Sequence, residues 1–283
     1  MKTIQLLISL SIVVYLTSCE NDHNDPFPQP QGDGLIKFEM GFADDDSPKT
    51  RVNTLHNFTS LWENGDKIGL YIVKGGGSLQ PSGNYADNVE FTHNGGAWTA
   101  STPLHYPNDG DNLSFYAYYP YNASMSNPNA YTFNVPTDQR SNDGEHYKKN
   151  DFLWAKLDNV PKSDNAVALQ FSHALAMIEI AISKNEPSIP LGNLLGAVTE
   201  CTINLANQSI TPGSTKNTIQ MWRRHGTSVP GISVHYLWAL VPPQIMDIHC
   251  VWTNVNGSHY TVTPATNVTL TSGNVKRHTT TQP

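Results

Sequence analysis

Leu61 to Val73 reads LWENGDKIGLYIV, and this stretch decides the fold. A large aromatic, Trp62, precedes a polar turn through Glu63, Asn64, Gly65 and Asp66. An alternating run follows, with Ile68, Leu70 and Ile72 on one side and Gly69, Tyr71 and Val73 on the other. Side chains of an extended chain alternate between faces, so the spacing predicts a turn feeding a half-buried strand. Gly65 suits a turn position with φ above zero, and the Asp66 carboxylate can accept nearby backbone amides. Trp62 is expected to anchor the turn on the core. Nothing in the stretch is chemically reactive.

Outward from this segment, strand signals recur. Asn94-Gly95 between two short apolar runs marks a hairpin. Leu113–Tyr121 (LSFYAYYPY) places Leu113, Phe115, Ala117 and Tyr119 on one face and Tyr116 and Tyr118 on the other. Such tyrosines pair across strands within a core, or alternatively stack sugar rings. Val167–Ile182 (VALQFSHALAMIEIAI) fits a helical stripe as well as a strand, and its β-branched residues favour the strand. Residues 185–197 carry Pro187, Pro190, Gly192 and Gly196 and are expected to link two domains. Beyond them, Cys201–Leu205, Val234–Leu240 and the alternation through Ile248, Cys250 and Trp252 are again strands, the last returning over Asn256-Gly257 through Tyr260 and Val262.

Composition agrees with an extracellular all-β chain. Of 283 residues only 14% are charged, while 20 glycines and 19 prolines punctuate the sequence. A net charge of −7 without a basic cluster excludes nucleic acid as a partner. At the N-terminus Lys2 and an apolar run from Leu6 to Leu16 form a secretory signal too short to span a bilayer. Leu16-Thr17-Ser18-Cys19 follows, which is similar to a bacterial lipobox, with Cys19 as the residue that takes the acyl chains, palmitate included. Two or more chains give stable anchoring. Residues 1–18 are therefore a lipoprotein signal peptide, and the acidic, Pro-punctuated residues 19–34 a disordered tether. The acidic patch just after Cys19 resembles a signal for export to the outer face of the outer membrane.

Several of these segments resemble the fimbrillin family, the lipoprotein pilins and pilus-tip proteins of the Bacteroides group. W-x-x-G-D-x-I-G-L-Y at Trp62–Tyr71 is similar to the family's most distinctive segment. Leu113–Tyr121, Asp151–Ala155, the F-x-H-x-L-A pattern within Val167–Ile182 and the Pro-Gln turn at Pro242-Pro243-Gln244 follow in the family's order. Leu270–Lys276 matches the closing strand loosely, without the usual lysine and aromatic after the glycine. The resemblance implies two transthyretin-like β-sandwich domains, residues 35–184 and 185–283, in a fimbrial subunit or adhesin at the outer membrane and cell surface. It implies partners too: other fimbrial subunits joined by strand exchange, the outer membrane through the lipid, and a host or bacterial surface glycan or protein. Leu35–Phe42 is then the strand an arginine-specific protease removes, and Thr50-Arg51 in the following acidic loop makes Arg51 the candidate processing site. The alternative is a surface lipoprotein that binds glycan through Tyr116 and Tyr118 without polymerising.

No cofactor is expected. The glycines at 75–77 lack the Gly-Lys-Ser/Thr ending of a phosphate loop, and the 11 histidines show no zinc-binding spacing. Ser172-His173 stands outside any nucleophile elbow, so His173 is expected to be a hydrogen-bonded core residue and the chain no enzyme. Cys201 and Cys250 are either one disulfide or two buried thiols.

Overall fold

The computed structural model describes residues 34–43, 61–141, 145–184, 190–229, 232–253 and 257–281, and over these the chain is almost entirely β. The first strand, β1 (Phe38–Phe42), is shorter than the expected Leu35–Phe42. Residues 34–36 pair elsewhere: the Ile36 amide donates to Leu104 O and the Tyr106 amide to Gly34 O, both at 2.8 Å. β2 (Lys67–Lys74) follows the expected turn, with Gly65 at φ 91° and the Glu63 amide donating to the Asp66 carboxylate at 2.7 Å. It is buried on both faces rather than one, because a second core lies behind it.

β3 (Ala86–Asn94) and β4 (Ala97–Ala100) form the hairpin over Gly95 and Gly96, both at positive φ. Next come β5 (Leu113–Tyr119), β6 (Tyr131–Asn134), a single-turn helix α1 (Glu145–Lys148), β7 (Leu153–Val160) and β8 (Val167–His173). The strands of the first sheet run in the order β1-β8-β7-β5-β2-β3-β4. Its two ends approach each other, since Leu35 forms a bridge to His105 just beyond β4 and the Phe38 ring meets Phe91 of β3 edge-on at 5.0 Å. Inside this rolled sheet lie Met40, Ile68, Leu70, Ile72, Phe115 and Leu169, one face of the predicted alternation.

The apolar run from Val167 onward is β, as expected, but it is two strands. β9 (Ala176–Lys184) starts after a corner at Ala174-Leu175 and belongs to a different sheet. The second half adds β10 (Leu191–Val198), β11 (Glu200–Asn204), β12 (Ser209–Pro212), β13 (Lys216–Gln220), β14 (Trp222–Val229), β15 (Ile232–Val241), β16 (Gln244–Thr253), β17 (His259–Leu270) and β18 (Val275–Thr281). Two four-stranded sheets, β13-β10-β16-β17 and β14-β15-β9-β18, enclose Ile178, Ile180, Leu194, Leu237, Ile248 and Cys250.

Residues 191–197, expected as linker, are instead most of β10, hydrogen-bonded on both sides. Its glycines mislead for a physical reason. A side-chain carbon at Gly192 would sit 2.3 Å from Leu237 Cδ1, so glycine there admits a core leucine. Gly196, at φ 73°, forms the bulge where the β10–β13 register shifts. Pairing also crosses residue 185: β9 bonds to β15 and β18, and β6 to β11. A third core, with Tyr71, Tyr118, Phe133, Phe152, Ile203 and Trp238, is shared between residues of both halves.

Candidate functional site: two latched edge strands

β8, the Ala174-Leu175 corner and β9 form one ribbon passing from the first sheet to the last. Two edge strands lie along it, both parallel to it. β1 pairs with β8 from Phe38 opposite Val167 to Phe42 opposite Phe171. β18 pairs with β9 from Val275 opposite Met177 to Thr281 opposite Ser183. Each is outermost in its sheet, so each offers one row of backbone groups without a ladder partner. Between them, over the corner, is a cavity of about 200 Å³ lined by Phe42, Trp154, Phe171, His173 and Ser272.

Different chemistry holds each strand. At β1 the Trp62 indole N–H donates to Met40 O at 3.1 Å, and the ring stacks on Phe42 with centroids 4.6 Å apart. The same indole meets Trp98, Tyr119 and Phe171 edge-on. Trp62 is therefore an anchor, as its position in the turn predicts, but it is only partly buried and what it anchors is the first strand. At β18 the buried Glu179 carboxylate accepts the Trp238 indole N–H at 2.9 Å and pairs with the Arg277 guanidinium. A charge this deep is tolerable only with such partners.

At the corner, His173 Nδ1 lies 2.9 Å from the Asp151 carboxylate, both side chains being buried. This is the hydrogen-bonded core histidine that its apolar surroundings predict, and its partner Asp151 opens the D-F-L-W-A segment. Strand alternation sends Ser172 to the solvent face. The Ala174 amide donates to Phe152 O at 2.9 Å, so corner and pair together fix the point where the ribbon changes sheet.

The tyrosine ladder lies inside. Tyr118 is fully buried, its hydroxyl donating to Asn88 Oδ1 at 2.7 Å, and Tyr116 is 6% exposed. Burial raises the pKa of Tyr118 and pushes that of Tyr71 up to about 12. Neither Tyr116 nor Tyr118 presents a ring face on which a sugar could stack, so the platform expected for the glycan alternative is part of the core. Cys201 and Cys250 are free and sit in different cores, and burial pushes each thiol up to about 12. They are protonated and unreactive near neutral pH. Cys19 and Arg51 lie outside the described residues.

Sequence reading missed both latches and one further device. Gln139, fully buried, accepts the Leu240 amide and donates to Leu240 O, each at 2.8 Å, imitating a ladder pair. Gln244 does the same for Val198, and the Pro-Gln turn was its signal. Gln139 has no comparable local signature.

The rolled sheet, the three smaller sheets and the edge strands define an all-β protein with the fold of solved Bacteroides proteins. A crystal structure of a provisionally named cell adhesion protein from Bacteroides uniformis superposes with a TM-score of 0.63 at 21% identity, covering 90% of this chain and 94% of the other. One from Bacteroides ovatus gives 0.60 at 15% identity, covering 87% and 91%. Residues 50–281 match the family model described as fimbrillin-like, and the chain belongs to that family of fimbrial and adhesion proteins. Among curated relatives, a provisionally named fimbrium subunit, Fim1C, of B. uniformis is 29% identical over 210 residues, 74% of this chain and 63% of its own length. A provisionally named fimbrium tip subunit of B. ovatus is 24% identical over 189 residues, 62% of this chain and 34% of its own. The match thus spans less than two thirds of either relative.

Proposed function

We propose that this protein is a fimbrial subunit or fimbria-associated adhesin, anchored in the outer membrane through acylated Cys19 and acting in cell adhesion by polymerising with other subunits. The observation that carries this reading is β1: a five-residue apolar strand with a single ladder partner, at the edge of an otherwise continuous sheet. Its removal would expose apolar side chains and the unpaired groups of β8, a template for an incoming strand. Before processing, Cys19 and the tether of residues 19–34 would hold the chain at the membrane. Cutting at Arg51 would separate β1, together with Cys19 and the tether, from the body, which is then held by its neighbours in the polymer. We further propose two transthyretin-like sandwiches, with the chain handing over at Ala174-Leu175. No catalytic role is assigned.

The test is digestion of the folded protein with an arginine-specific protease, followed by mass analysis and native gels. A cut at Arg51, loss of the β1 peptide and a ladder of higher-order bands are the expected result. Resistance at Arg51, or a cut that leaves a monomer, would remove the strand-exchange reading. For the anchor, Cys19→Ala should move the protein from the membrane to the soluble fraction. Continued incorporation of labelled palmitate by that variant would end the lipobox assignment.

A further inference from the structure

Besides the packing of Phe38 on Phe91 and the bonds that tie Gly34 and Ile36 to Tyr106 and Leu104, β1 is held by a ladder and by a latch, which are unequal in kind. Toward β8, the odd-numbered residues make the ladder: the Val167 amide donates to Lys37 O at 2.8 Å and the Ala43 amide to Phe171 O at 3.0 Å. Backbone groups alternate sides along a strand, so the carbonyl of Met40 points to the other, unpaired edge. That is the carbonyl the Trp62 indole takes. Trp62 comes from the segment that leads into β2, a strand near the far end of the sheet order, so the contact ties β1 to a part of the sheet its ladder does not reach. The stack on Phe42 adds a second point of attachment one pleat further on. Through its edges the same ring touches β4, β5 and β8, which fixes its position whether or not β1 is there.

The flank of β1 away from β8 is open. A cleft of about 650 Å³ lined by Phe38, Met40, Trp62, His93 and Trp98 runs beside it, and another of about 400 Å³ lined by Ile36, Phe38, Phe91, Trp98 and Leu104 continues along its start. On that side the backbone of β1 has no neighbouring strand, and the contacts it would have to break are the rings of Phe91 on Phe38 and Trp62 on Phe42. Only Ile36 and Met40 in this segment are buried, whereas Phe38 and Phe42 are half-buried. One short ladder with a side-chain latch is the arrangement of a unit that opens locally, below the free energy of global unfolding.

We propose that Trp62 is the lock on β1: the strand opens as a unit while the remaining sheets stay folded, and Trp62 sets how often it does so. This deepens the strand-exchange reading and rests on it for biological meaning, yet it concerns the single chain before any assembly. In that setting the distinctive tryptophan holds β1 in place over the β8 groups that an incoming strand would need.

Amide exchange of the dilute, uncut full chain tests it, with the Ala43 and Val167 amides reporting on β1 and amides of β2 and β5 on the core. In the parent, the β1 reporters should exchange faster than the core and show a smaller dependence on denaturant. Trp62→Phe, which keeps a ring but loses the hydrogen bond, should speed them about threefold to tenfold, and Trp62→Ala by about a hundredfold. Ile248→Val, in the core between the two four-stranded sheets, should lower global stability without changing the β1 reporters. The proposal is overturned if β1 amides exchange only with the core, if Ile248→Val speeds both alike, or if Trp62→Phe leaves Ala43 and Val167 unchanged. Because nothing is cut and nothing assembles, its failure is separable from failure of strand exchange, which the protease digest reads.

Discussion

β1 and β18 occupy equivalent places and solve the same problem differently. Each is an edge strand running parallel to the β8–β9 ribbon, and each needs more than one ladder to stay in place. β1 (FEMGF) is apolar and is latched by an indole stacked on Phe42. β18 (VKRHTTT) is mostly exposed, and its firm attachment is the bond of Arg277 to the buried Glu179. Apolar burial is nondirectional and indifferent to salt, whereas a buried carboxylate demands a particular partner at a particular register. A strand from another chain could replace β1 with any apolar residues of suitable size. One replacing β18 would have to bring a cation to Glu179.

Breaking the aromatic latch should have the largest effect. Truncating a fully buried tryptophan to alanine costs about 3–5 kcal/mol, and Trp62 is partly exposed, so Trp62→Ala should cost about 3 kcal/mol. Urea unfolding measures this. An unchanged midpoint would mean that the stack on Phe42 contributes nothing and that the two edges do not differ as described.

The second test uses the cores behind the strands. Among the described residues the core enclosed by the rolled sheet contains no cysteine, while Cys201 lies in the shared core and Cys250 between the two four-stranded sheets. Burial raises both thiols from 9.0 to about 12. With the folded value above the unfolded one, their stability contribution is complete below pH 9 and is lost as pH rises toward 12. By pH 10 the loss should be about 1 kcal/mol per thiol. Unfolding midpoints at pH 9 and 10 should therefore differ in the parent and differ less in a Cys201→Ala, Cys250→Ala variant, while exchange at Ala43, corrected for intrinsic rate, stays level. The buried tyrosines Tyr71, Tyr118 and Tyr119, whose pKa burial also raises, supply the gap that remains in the variant.

How much of this was visible beforehand follows from range in sequence. Gly65 and Asp66 announced their turn because its hydrogen bond spans three residues. Gly69 was legible as strand but not explained: a side chain there would lie 2.2 Å from Tyr118 Cε1, so the glycine exists to seat a ring from β5. The run from Val167 to Ile182 gave its type but not its break, which depends on Asp151 holding His173 from 22 residues away. Residues 191–197 carry the signature of a linker although they are strand, because a glycine that receives Leu237 looks the same in sequence as one in a linker. The latches join residues 22 and 98 positions apart, and no local pattern encodes such pairs.

Next in size is the ionic latch. Stripping one partner from a buried pair costs about 3–5 kcal/mol, but the Arg277 side chain is 53% exposed, so water can reach Glu179 once the guanidinium has gone. Arg277→Ala should thus cost about 2 kcal/mol in urea unfolding. Adding Glu179→Gln should recover part of that, since the neutral amide oxygen still accepts the Trp238 indole N–H. A double variant worse than Arg277→Ala alone would show that Glu179 is held by something other than its charge partner.

The smallest effect is also the one that separates the two edges most directly. At 1 M salt the Debye length is about 3 Å, short enough to screen exposed charges but not one enclosed by protein. Glu179 is 1% exposed and sits against Trp238, so ions approach the pair only from the Arg277 side. Raising salt from 0.1 to 1 M should therefore speed exchange of the β18 amides by less than about threefold, a fraction of what Arg277→Ala does. The β1 reporters at Ala43 and Val167 should not speed up at all, because their latch is an indole on a phenyl ring with a neutral hydrogen bond. Equal acceleration at both edges would mean that salt acts on the whole fold. Acceleration at β1 alone would reverse the assignment of the aromatic and ionic latches.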